Sequence, residues 1–105
     1  MSYRTISLRP YPGKIYLFRD IPAMRRVYER MTRKKYPYED GSTAGRYVRL
    51  NARSTVWLVY ARQPHQVAHE FAHVLLHTFT DIGCDPAAGN GEPFCYMLSQ
   101  LMIEA

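Results

Sequence analysis

The chain contains no run of about 18 apolar residues, and this excludes a transmembrane helix. Its first stretch, MSYRTISLRPYPGKIYLF, lacks the continuous apolar segment and small-residue cleavage site of a secretory signal. With no membrane segment or leader, the expected location is the cytoplasm. Cysteine is scarce, with only Cys84 and Cys95. In a reducing compartment two cysteines read as free thiols, buried small side chains or metal ligands before a disulfide. There is no internal repeat and no low-complexity tract.

Basic residues are missing from one half of the chain. Residues 63–105 hold five acids and no Lys or Arg, a formal charge of −5. Residues 1–62 hold all 14 Lys and Arg against four acids, a formal +10. A basic half points to an acidic partner, either nucleic acid or an acidic protein surface. A solvated face that only maintains solubility accounts for the same charge, and no nucleic-acid motif accompanies it.

What is present suffices for one domain. A length of 105 residues with 47% hydrophobic content supports a modest single core. Gly13 to Phe18 reads as a strand. Asp20 then suits a helix cap, with Pro22 in the first turn. That helix is expected to reach about Lys35, because Met24, Val27, Tyr28 and Met31 recur at helical spacing. Arg46–Leu50 and Ser54–Tyr60 read as two further strands joined through Asn51-Ala52-Arg53. Pro64 opens a long helix expected over 64–82 and ended by Gly83. Its apolar stripe is Val67, Phe71, Val74, Leu75, Thr78 and Ile82. Asn90 suits the cap of a last helix over about 91–104, with Phe94, Met97, Leu98, Leu101 and Met102 facing inward. The expected architecture is α+β, in the order β-α-β-β-α-α.

His69-Glu70-Phe71-Ala72-His73 matches H-E-x-x-H on the long helix. Residues four apart stand one above the other on a helix, so two imidazoles can meet one metal ion. Glu70 lies about 100° around the axis. It can therefore serve as general base toward water without binding the metal. Catalytic zinc takes three protein ligands, and Glu92, in the first turn of the last helix, is the expected third. Asp81 and Asp85 suit that role less well. His65 and His77 continue the four-residue series but stand too far along the axis to share one ion with both central histidines. They are left as supporting, substrate-facing or solvent-exposed groups. A rival arrangement is a closed Cys₂His₂ zinc site of His69, His73, Cys84 and Cys95.

The string Ala68-His69-Glu70-Phe71-Ala72-His73-Val74-Leu75-Leu76-His77 resembles the gluzincin branch of the zincin metallopeptidases. It is more similar still to the ImmA/IrrE type, whose motif reads close to A-H-E-L-G-H-x-L-L-H, and to small phage-encoded zincin-like proteins. Glu92, Tyr96 and Leu101-Met102 parallel that family's next helix, and the likeness covers about residues 54–105. It implies a minimal zincin-like domain over 1–105, with a small mixed sheet packed on the motif helix and a C-terminal helix. It also implies zinc held by His69, His73 and Glu92, Glu70 as catalytic base, and a protein or peptide substrate such as a transcriptional repressor. Ala72 stands in place of the family's Gly, and Pro93-Phe94 in place of small residues. Tyr96 occupies the position of an orienting aspartate. There it can orient a ligand or stabilise an oxyanion, or simply pack as an aromatic. The other functional readings are a zincin-fold binding protein without turnover and a zinc-stapled nucleic-acid module.

Overall fold

The computed structural model describes residues 3–105 as four strands and three helices. They are β1 (Tyr3–Ser7), β2 (Lys14–Phe18), α1 (Ile21–Thr32), β3 (Gly45–Arg49), β4 (Val56–Ala61), α2 (Pro64–Asp81) and α3 (Glu92–Glu104). The sheet order is β1-β2-β4-β3. Strands β2 and β4 run parallel, while the two outer pairs are antiparallel, so the sheet is mixed. The chain is a small α+β domain, as the sequence leads one to expect. Among the described residues no helix is long and apolar enough to cross a membrane.

The sheet is covered on both faces, which explains why β4 is an unbroken apolar run. Ile15, Leu17, Trp57, Val59 and Ala61 point to the side carrying α2 and α3. Phe18, Val48 and Leu58 point to the side carrying α1. Helix α2 buries Val67, Phe71, Val74, Leu75, Thr78 and Phe79. Its expected stripe is thus seated as read, except that Ile82 falls just past the helix and stays exposed. The Asp20 carboxylate caps α1 by accepting a 2.7 Å hydrogen bond from Ala23 N–H.

Three sequence readings are corrected. Strand β1 was not expected; only Ile6 within it is buried, so an edge strand of this composition carries little apolar signal. Helix α1 ends at Thr32, short of Lys35, with Arg33 left-handed at φ 57°. The early stop lets the chain turn back, burying Tyr36 with its N–H donated to the Glu29 carboxylate and leaving Met31 exposed. At the last helix Asn90 is not the cap. It is left-handed within a single 3₁₀ turn, and Gly91 caps α3 without a side-chain bond.

Candidate metal centre

Helix α2 carries His65, His69, His73 and His77 at intervals of four, so they form one ridge along it. The two central members converge. Their Nε2 atoms stand 3.2 Å apart, and their rings meet edge to face at 4.8 Å. Two imidazole nitrogens bound to one tetrahedral zinc at about 2.0–2.1 Å would be separated by about 3.3 Å. The separation of the two nitrogens matches that spacing, and it is also hydrogen-bond distance between two rings that share no ion.

Tyr47 of β3 holds this pair from the side. Strand alternation sends Tyr47 to the α2 face of the sheet, where its ring stacks on His73 at 4.7 Å and 17° between planes. Its hydroxyl lies 3.4 Å from His77 Nε2. His77 also rests against Trp57, with ring centroids 5.2 Å apart. His77 is thereby anchored beside the pair. His65 is exposed in the first turn of α2.

Glu70 lies on the same flank of α2 as His73 and His77 and reaches beneath β3. Only 8% of it is exposed. It fits because position 45 is glycine: a Cβ there would stand 2.8 Å from Glu70 Oε2. Burial raises the Glu70 carboxyl above the usual carboxylate range, and the charges of His69, His73 and Arg46 pull it partly back. Glu70 borders a cavity of about 470 Å³ along the outer side of β3, together with Gly45, Arg46, Tyr47, Trp57 and His77. A carboxylate whose proton affinity is raised by burial, at the border of a cavity that His77 also lines, can exchange a proton there.

The remaining expected residues lie elsewhere. Glu92 is exposed at the start of α3. Phe94, two residues on, packs edge to face on Phe79 at 5.7 Å, which seats this end of α3 against the last turns of α2. Phe79 is about 9 Å along the helix axis from His73. The structure therefore does not bring Glu92 to the histidine pair. Tyr96 is 65% exposed and lines a groove with Thr5, Ser7 and Gln100, on the β1 side of the domain. Asp81 is ion-paired with Arg49. Cys84 and Cys95 are free and exposed. Among the described residues no group of three or more His, Cys, Asp or Glu side chains is assembled to hold a metal. The closed Cys₂His₂ arrangement is likewise not assembled.

Sequence reasoning missed Tyr47 and Gly45. The alternation of Tyr47 and Arg49 against Val48 and Leu50 was a signal for the face Tyr47 occupies, though not for its partner. Compared with known protein-family models, curated proteins and solved structures, the chain matches none.

Proposed function

We propose that this domain is a zinc-dependent hydrolase acting on a peptide or protein, built as a minimal zincin-like fold. The observation that carries the reading is the 3.2 Å approach of His69 and His73 Nε2 beside a buried glutamate. His69 and His73 would hold the metal. When bound, zinc supplies the Lewis acidity that makes water a competent nucleophile near neutral pH. Glu70 takes the proton that water gives up as its oxygen attacks the peptide carbonyl carbon, and returns it to the departing amine nitrogen. Tyr47 keeps the His73 ring in register.

One observation favours a second reading, zinc binding without turnover: among the described residues no third protein ligand joins the pair. One comparison separates the two. Zinc affinity is measured by calorimetry for wild type, His73→Ala and Glu70→Gln, alongside hydrolysis of an unfolded protein substrate. The hydrolase reading requires tight zinc binding by wild type and Glu70→Gln, loss in His73→Ala, and cleavage by wild type reduced about 10²–10⁴-fold in Glu70→Gln. Zinc binding without cleavage by wild type selects the second reading. No zinc binding by wild type overturns both.

A further inference from the structure

The charge asymmetry of the sequence becomes a difference between the two faces of the sheet. Six exposed cations, Arg25, Arg26, Arg30, Arg33, Lys34 and Lys35, lie on the outer side of α1 and the turn that follows. The helices on the opposite face contain no Lys or Arg. Acids near α1 do not neutralise these cations, because most are engaged inside the domain. Asp20 caps the helix, Glu29 accepts the Tyr36 N–H, and buried Asp40 binds the Tyr36 hydroxyl and Arg46. Among the described residues only Arg46 and Arg49 have carboxylate partners.

We infer that the α1 face binds single-stranded nucleic acid, its Arg and Lys side chains holding phosphates and Tyr38 offering a stacking surface for a base. Three observations select this occupant over an acidic protein. The outer side of α1 exposes no large apolar residue except Met31, so it lacks the apolar centre of a protein interface. Phosphate contacts need no such centre. Four of the six cations are arginine, whose fork matches phosphate oxygens. The basic segment leads directly to half-exposed Tyr38, whose ring is backed by the Arg46 guanidinium at 4.2 Å. Next to it a cavity of about 630 Å³ is bordered by Arg25, Lys35, Tyr36 and Tyr38 and by three acids, of which Glu29 and Asp40 are engaged inside the domain and Glu39 is exposed. An electrostatic track ending at an aromatic platform is how single strands are held without sequence preference.

The test is fluorescence anisotropy with the full chain and a labelled oligothymidylate of about 20 nucleotides, from about 50 to 200 mM salt. Affinity is expected to fall linearly on log–log axes. The Arg25→Ala/Arg26→Ala/Arg30→Ala variant should bind at least about tenfold more weakly at the low end, with a slope smaller by about 2. Tyr38→Ala should weaken binding about tenfold with its slope unchanged. These side chains are exposed, and circular dichroism checks that each variant folds. No binding at about 50 mM salt, an unaffected triple variant, or equal affinity for a polyglutamate peptide would overturn the inference. Unchanged binding by Tyr38→Ala would overturn its assignment to single strands.

Discussion

Glu70 and Gly45 fit each other so closely that a Cβ at position 45 would stand 2.8 Å from Glu70 Oε2, 3.2 Å from its Cγ and 3.3 Å from its Cδ. The glycine is what allows the carboxylate to pass under β3 while remaining at the cavity. Gly45→Ala therefore displaces the whole end of the Glu70 side chain. The expected cost in stability is about 1–2 kcal/mol, since the carboxylate can swing aside. Zinc affinity should stay within about threefold of wild type, because neither histidine moves, while cleavage should fall as far as in Glu70→Gln. Urea unfolding, calorimetry and a hydrolysis assay read the three effects. Wild-type cleavage by Gly45→Ala would show that Glu70 does not act from this position.

Tyr47 touches the site by its ring and its hydroxyl, and the two can be separated. Tyr47→Phe keeps the stack on His73 and removes only the contact with His77. Its zinc affinity should stay close to wild type. Tyr47→Ala frees the His73 ring, and loss of such orienting partners costs about 10–100-fold in metal affinity. Equal zinc affinity for both variants in calorimetry would rule out orientation through the stack.

How much of this was legible in the sequence depends on how local each feature is. The Asp20 cap, the Pro64 start of α2 and the convergence of His69 with His73 depend on residues within one or two turns, and all are present as read. Tyr47 and His73 are 26 positions apart, and their stacking requires the register of β3 on β4 and the seating of α2 on that sheet. No spacing rule encodes that. Glu92 is suggested by its place in the first turn of the next helix, by the length of the loop before it and by the family likeness. None of these encodes how α3 packs, which the Phe79–Phe94 contact sets. Strand β1 escaped notice because its partner β2, not its own composition, makes it a strand.

Tyr36 makes stability depend on pH at the alkaline end. Its phenol is pushed well above the ordinary 10.0, first by burial and then by its hydrogen bond to Asp40. The folded protein thus holds the proton more tightly than the unfolded chain, where the phenol titrates near 10. This contribution is complete below pH 10 and declines as the pH rises further. Urea unfolding at pH 8 and at about pH 11 should show wild type losing stability between them. Tyr36→Phe should be less stable at pH 8 by about 1–3 kcal/mol, because buried Asp40 loses a partner. Its further loss on going to alkaline pH should be smaller. Parallel pH dependences for the two proteins would remove Tyr36 as the cause.

Glu92 offers the sharpest comparison between sequence spacing and packing. As the third ligand it would be indispensable, and Glu92→Ala would abolish zinc binding as completely as His73→Ala. In the structure it is exposed at the start of α3, held away from the pair by Phe94 on Phe79. Glu92→Ala is accordingly expected to keep zinc affinity within about threefold of wild type. The control is Phe94→Ala, which loosens the seating of α3. It should cost about 2–4 kcal/mol in urea unfolding, since Phe94 is only partly buried, and should leave zinc affinity unchanged. Calorimetry on both variants decides the matter. If Glu92→Ala loses zinc while Phe94→Ala keeps it or binds more tightly, then α3 must swing its first turn toward His69 and His73 when the metal arrives. The Phe79–Phe94 contact would then be the latch that metal binding opens.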